Sequence, residues 1–410
     1  MSHGRSHALP LPSTRLRACA HAPQAGRAVA PRPPPLVRLG DVCEIVSGST
    51  PKTSVESYWG GSFPWITPAE LNDKTVVVGD TTRHLSEEGV ASAALKPFPA
   101  GTVLLSSRAP IGKVAIAGCD MYCNQGFKNL ICSDAIHNFY LYYWLKSHTS
   151  FLNSLGRGAT FKEISKAIVA QIQIPLPPLP EQKRIAAILD KICEMKRNAE
   201  ARLQKLDLLV KARFVEMFGD VPNSVTMADI CLIITDGTHL APKFVETGIP
   251  FLFVSNIATN KVTYDTEKFI DERTYSELIK RTPIEIGDVL LSTVGSYGHP
   301  AVVNSTNRFL FQRHIAYLKP CKKIIDSQFL HGAILSANVQ EQIERKVKGI
   351  AQKTLNLSEV KTIKLPLPPL ALQRQFAAFV EKVEGLKATA KKELEQVDLL
   401  YRAKLQEFFG

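Results

Sequence analysis

Long apolar runs are largely missing from this chain. The longest, residues 139–145, holds seven apolar or aromatic side chains, against the ~20 that a membrane-spanning helix requires. A helical membrane protein is therefore excluded. No apolar run follows the basic amino-terminal stretch, so no secretory leader is expected and the protein is read as cytoplasmic. Paired cysteines are missing too. The eight cysteines (Cys19, Cys43, Cys119, Cys123, Cys132, Cys193, Cys231 and Cys321) contain no CxxC. Cys119, Cys123 and Cys132 with His137 fit no zinc template, which makes buried free thiols the expected reading and a metal site the excluded one. Acidic residues are absent from the first 40 positions, where six arginines supply half of the net charge of +12. With seven prolines in the first 35 residues as well, residues 1–36 cannot offset their chain entropy and are expected to be a disordered Arg/Pro-rich extension.

The motifs of stand-alone catalysis are also wanting. Ile111-Gly112-Lys113-Val114 lacks the leading glycine and the hydroxyl residue of a phosphate-binding loop. No GxGxxG, HExxH or GxSxG occurs, and both Pro-Pro pairs are followed by leucine where an amino-methyltransferase signature needs an aromatic. The acid-x-Lys at Glu194-Met195-Lys196 lies in a helical pattern, where it reads as a solvated face. The chain is not expected to be an enzyme by itself, and it needs no cofactor of its own.

What the chain does contain is a repeat. Residues 174–219 align without a gap on residues 365–410, with 19 identities over 46 positions. These include the Pro-Leu-Pro-Pro-Leu run, Gln182/Gln373, Asp207-Leu208-Leu209/Asp398-Leu399-Leu400 and Phe218-Gly219/Phe409-Gly410. Upstream the likeness thins to anchors: Gly101-Thr-Val-Leu-Leu-Ser-Ser with Gly287-Asp-Val-Leu-Leu-Ser-Thr, Gly112 with Gly298, and Asn124-Gln125-Gly126 set against Phe311-Gln312-Arg313. The chain is a tandem duplication whose globular parts have diverged while its joining segments stayed alike.

Each joining segment is a long amphipathic helix. Its apolar positions are Ile185, Ile188, Ile192, Met195, Ala199, Leu203, Leu206, Val210, Phe214 and Met217, and Phe376, Phe379, Val383, Leu386, Ala390, Leu394, Val397, Tyr401, Leu405 and Phe408 repeat the spacing position for position. The mean step of about 3.56 falls between the coiled-coil and the ideal helical period. So narrow a seam is expected to be covered by the other helix in an antiparallel coiled coil, which would set the globular parts at its two ends. The globular parts read as mixed α/β, with strands near 102–106, 114–117, 288–292 and 301–304 and helices near 138–155 and 328–347. Basic groups on their loops suit phosphate positioning and base-edge readout. In the first part these are Lys52, Arg108, Lys113, Lys128, Arg157 and Lys162, with Tyr58 and Trp59. In the second they are Lys243, Arg313, His314 and Lys353, with His239, Tyr297 and His299.

A globular unit, an apolar-x-apolar-Pro-Leu-Pro-Pro-Leu run with Gln182, a long helix ending in Phe-Gly, and then a second copy resemble the specificity subunit of type I restriction–modification enzymes. The resemblance covers residues 37–410 and departs from its own repeat at Glu181, which becomes Leu372. It implies an α+β architecture of two mixed α/β target-recognition domains, 37–174 and 221–364, separated by two conserved spacer helices, 175–220 and 365–410. It further implies a non-catalytic reader of a bipartite, asymmetric site on double-stranded DNA. Partners would be two methyltransferase subunits using S-adenosylmethionine and, when present, restriction subunits using ATP and Mg. A coiled-coil scaffold with protein-binding globular ends would also explain the helices, but not why the globular parts diverge while the spacers do not.

Overall fold

The computed structural model describes residues 1, 33–72, 74–108, 110–158, 162–349 and 352–410. Most of the Arg/Pro-rich extension, residues 2–32, lies outside them. The chain divides into two compact units, one running to Ala186 and the other from Ala187 to Phe408.

In the first unit β1 (Leu36–Arg38) pairs antiparallel with β10 (Gln173–Pro175) and closes the globular part on itself. Between them lie β2 (Cys43–Val46), β3 (Trp59–Ile66), β4 (Val77–Val78), β5 (Arg83–Leu85), β6 (Val103–Leu105), β7 (Val114–Ala117), β8 (Tyr122–Cys123) and β9 (Asn129–Cys132). They form a five-stranded sheet in the order β2-β9-β6-β7-β4 and a three-stranded sheet in the order β5-β3-β8. The second unit repeats the plan. Here β11 (Asn223–Thr226) pairs with β19 (Lys364–Pro366) around β12 (Cys231–Asp236), β13 (Ile249–Leu252), β14 (Phe269–Ile270), β15 (Val289–Ser292), β16 (Pro300–Val302), β17 (Leu310–Phe311) and β18 (Ile315–Pro320). The orders are β12-β18-β15-β16 and β14-β13-β17, the first unit's orders without the edge strand β4.

Register adjusts one sequence anchor. Trp65 pairs with Tyr122 and Phe251 with Leu310 in equivalent parallel ladders, and the amides of Asn124 and Gln312 donate to Ile66 and Leu252. Asn124-Gln125-Gly126 therefore corresponds to Gln312-Arg313-His314, one residue beyond the alignment read from sequence. The diverged loops between the anchors hold different numbers of residues, which sequence alone did not locate.

The central strands β6 and β15 are buried throughout, as expected of strands covered on both faces. Along β15, Val289 and Leu291 pack with Phe329, Leu330 and Ala333 of the covering helix, and Leu290 packs on the other side with Leu252, Phe309 and Tyr317. The covering helices differ from expectation. Each is two helices, Asn138–Ser147 with Thr149–Leu155 and Ser327–Ile334 with Ala337–Lys346. At both breaks a serine hydroxyl turns back onto a carbonyl of the preceding turn, Ser147 onto Trp144 at 2.8 Å and Ser336 onto Ala333 at 2.7 Å. Such local bonds compete with helix continuation.

Two spacer helices of 40 residues each, Leu179–Phe218 and Leu370–Phe409, follow the proline runs. At 1.5 Å per residue each spans about 60 Å. A repeated glutamine fixes each start. Gln182, fully buried, accepts the His137 amide at 2.8 Å and donates to Ala135 and Pro177 carbonyls. Gln373, equally buried, accepts the Asp326 amide at 2.9 Å and donates to Ile324 and Pro368.

Within the second unit the helices run antiparallel. Lys196 pairs with Asp398 at 2.6 Å, Arg202 with Glu393 at 2.7 Å and Asp207 with Lys387 at 2.5 Å, partner numbers falling as the first rise. The Lys196–Asp398 and Lys387–Asp207 bridges join repeat-equivalent residues reciprocally, as a pseudo-twofold axis requires. Ile192, Leu206, Val383 and Val397 are buried in the seam, and Ile188, Leu203, Phe379 and Leu394 are half-buried. Ile185 is buried in the first unit, while Phe376 is enclosed by Phe214 and Phe218 at 5.4 and 5.8 Å. Met195 and Leu386, expected inside, are 44% and 57% exposed, and Lys387, beside Leu386, is only 9% exposed. On the second helix the seam steps through Lys387, whose stem lies along apolar surface while its head reaches Asp207 of the partner helix.

Candidate nucleic-acid interface

In each unit four loops meet at one edge of the sheets. In the first unit the Thr50 hydroxyl donates to Gln125 at 2.7 Å and the Ser107 amide to Gly126 at 2.8 Å. The Ile164 amide donates to Ser107 at 2.9 Å, and Arg157 and Glu163 exchange backbone bonds of 3.0 and 2.9 Å. The segment after β2, the β6–β7 turn, the β8–β9 link and residues 156–158 and 162–164 are thereby joined. The second unit repeats the backbone links and makes the first contact through the backbone as well. Arg313 donates to Thr238 at 3.0 Å, Thr293 to His314 at 2.9 Å and Leu355 to Thr293 at 2.8 Å, and Lys348 and Thr354 exchange bonds of 3.0 and 2.8 Å. Gly158 and Gly349 hold φ of +126° and +103° at equivalent points of the last loop, a conformation that favours glycine at both. One scaffold thus presents two different sets of side chains.

The sequence-derived basic residues divide by what holds them. Lys52, Arg157 and Lys162 are exposed on these loops, with no hydrogen-bonded or ion-paired side-chain partner among the described residues. Lys243 is exposed as well, on the segment after β12 that also carries Thr238, and its charge helps hold the Asp271 carboxyl below its ordinary value. Arg313 is exposed against His314, 3.4 Å from its ring nitrogen. Burial, with Arg313 adding to it, pushes the His314 imidazole below its ordinary value. The ring is then neutral near pH 7 and offers one donor and one acceptor.

The remaining cations have partners within the protein, Lys113 and Lys128 drawn in from solvent and Arg108 and Lys353 still exposed at the surface. Arg108 and Lys128 share Glu163 at 2.9 and 3.1 Å. Burial pushes the Glu163 carboxyl up, but the hydrogen bonds from Lys128 and Arg108 outweigh it and hold the group below the usual carboxylate range. Lys128 is 7% exposed. Lys113 donates to the carbonyls of Pro68 and Leu71 at 3.2 and 2.6 Å. Lys353 pairs with Glu344 at 2.8 Å and reaches the Tyr297 hydroxyl at 3.2 Å.

Two further groups at the units' surfaces escaped the sequence reading. The Arg83 guanidinium lies 3.4 Å over the Trp59 ring. Arg281 pairs with Asp236, which also holds His239 at 2.8 Å. Both arginines reach these places from distant segments, with no periodicity to mark them.

Donors and a neutral imidazole on fixed loops are what duplex recognition uses, cations for phosphates and mixed donor–acceptor groups for base edges. Among the described residues no group of three or more His, Cys, Asp or Glu side chains is placed to hold a metal ion, and no helix is long and apolar enough to cross a membrane.

The family model described as the type I restriction modification DNA specificity domain matches residues 35–207 and again residues 224–398. The chain belongs to this family. It is 29% identical over 376 residues to the MjaIX specificity subunit of Methanocaldococcus jannaschii, covering 84% of this chain and 85% of that one. To the EcoBI specificity subunit of Escherichia coli it is 26% identical over 384 residues, covering 85% and 73%. Two solved structures share the fold: a type I S subunit from M. genitalium, with a TM-score of 0.56 at 17% identity over 92% of this chain and 96% of that one, and a chain from a study of complex assembly in the type I system, with a TM-score of 0.58 at 21% identity over 94% and 100%. The duplicated architecture is therefore that of a type I specificity subunit, with two recognition domains and no catalytic role of its own.

Proposed function

We propose that each four-loop edge reads one half of a bipartite, asymmetric site on double-stranded DNA and thereby directs adenine methylation and ATP-dependent cleavage by partner subunits. The observation that carries this reading is the repeated loop scaffold with unlike side chains: Lys52, Gln125, Arg157 and Lys162 in one unit, Arg313, His314 and Lys353 in the other. Equal scaffolds with equal side chains would suit a symmetric site; unlike ones suit two different half-sites.

Two methyltransferase subunits are the partners proposed for the spacers. Leu208 and Leu399, equivalent in the duplicated Asp-Leu-Leu, are 63% and 65% exposed beside their bridged aspartates. A face present twice around a pseudo-twofold suits two copies of one partner. S-adenosylmethionine, ATP and Mg would be bound by the methyltransferase and restriction subunits, in the cytoplasm.

The test is duplex binding against salt. Affinity should fall steeply between roughly 50 and 200 mM salt, because cations on the loops displace condensed counterions. An affinity that stays level across that range would favour the apolar scaffold.

A further inference from the structure

We propose that Cys43 and Cys132 form a reactive dithiol in the first unit, a site where a small-molecule disulfide closes an intramolecular disulfide between β2 and β9. The two residues are direct cross-strand partners. The Ser133 amide donates to Val42 at 3.0 Å and the Cys43 amide turns back to Leu39, so the Cys43–Cys132 pair is a non-hydrogen-bonded one. That kind of antiparallel pair brings its Cα atoms to about 4.5 Å, inside the roughly 4.4–6.8 Å that a disulfide spans.

Access differs between the two sulfurs. Cys43 is buried, 7% exposed. Cys132 is half-buried and lines an open cavity of about 350 Å³ together with Gly101, Asp134, His137 and Lys183. Cys132 is thus the attacking sulfur and Cys43 the resolving one. The second unit supplies an internal comparison, because the cross-strand partner of Cys231 there is Pro320, which carries no sulfur.

The exchange proceeds in two displacements. The deprotonated Cys132 sulfur attacks oxidised glutathione, breaking its S–S bond and releasing one glutathione thiolate. The Cys43 sulfur, giving up its proton, then attacks Cys132 and expels the second glutathione thiolate. Two protein S–H groups are lost and one S–S bond is formed, and the two electrons and two protons leave with two glutathione thiols. The bond would tie the strand leading into the Lys52 loop to the strand leading into the loop that Gln182 holds.

The experiment titrates oxidised glutathione into the reduced full-length protein, alkylates the remaining thiols, and maps peptides without reduction. Expected are linked Cys43 and Cys132 peptides, reversed by excess thiol, with Cys231 and Cys321 still alkylated. In Cys132→Ser, Cys43 should remain alkylatable and no linked species should form. Three outcomes would overturn the proposal: a Cys132 that stops at the glutathione adduct, a Cys43 that stays alkylated at saturating oxidant in the unsubstituted protein, or a crosslink elsewhere with this pair still reduced.

Discussion

Gln182 and Gln373 show what one side chain does in this fold. Each satisfies an amide and two carbonyls in a buried space where a spacer helix leaves its globular part. Replacing either with alanine should cost about 1–3 kcal/mol for each backbone group left buried and unpaired, read as a lower denaturation midpoint. The basic residues give a second prediction. Lys52→Gln, Arg157→Gln or Lys162→Gln should leave stability unchanged and flatten the salt dependence of DNA binding by about one unit each. Lys113→Gln and Lys128→Gln should lower stability and leave that slope alone, since their ammonium groups are bound inside the protein. The sequence displayed all five as equal cations. Their separation depends on Pro68, Leu71 and Glu163, which lie 35 to 45 residues away, a distance over which no spacing rule operates. The glutamines were visible as identities, but their partners, 45 and 47 residues off for the accepted amides, were not.

At the scale of the element, the spacer helices and their antiparallel pairing were legible because a 3.56-residue period over so many turns leaves a single narrow face to cover. The seam's passage through Lys387 was not, because an apolar template selects Leu386 beside it. Ile192→Ala should therefore cost about 2–5 kcal/mol, whereas Met195→Ala and Leu386→Ala should stay within about 0.5 kcal/mol, by urea denaturation. The coil's charges also set its pH range. Burial pushes the Glu384 carboxyl up, but hydrogen bonds from Lys261 and Lys387 outweigh it and leave the group below its ordinary value. Its contribution is complete above the unfolded value of about 4.3 and is lost as pH falls through the folded value. Burial pulls Lys387 down, and its bonds to Asp207 and Glu384 more than reverse this. That contribution is complete below about 10.4 and is lost as pH rises through the folded value. Lys387→Met should remove the alkaline loss and shrink the acid one, seen in denaturation midpoints measured across pH.

Over the whole molecule, the duplication was the most legible feature and the sheets the least. Proline runs and identical helix residues mark the repeat directly. The strand orders β2-β9-β6-β7-β4 and β12-β18-β15-β16 arise from pairings as remote as Cys43 with Cys132, which local patterning does not encode. Divergent loops on a conserved scaffold are what a reader of two unlike half-sites requires, and the target follows from those loops rather than from the fold. The most direct test is single-molecule mapping of methylated adenines in cells carrying this chain with its methyltransferase subunit, compared with cells lacking only this chain. A bipartite, asymmetric methylated motif that disappears with the chain is expected. Methylation that persists without it, or none from a folded and assembled complex, would contradict the claim that this chain chooses the site.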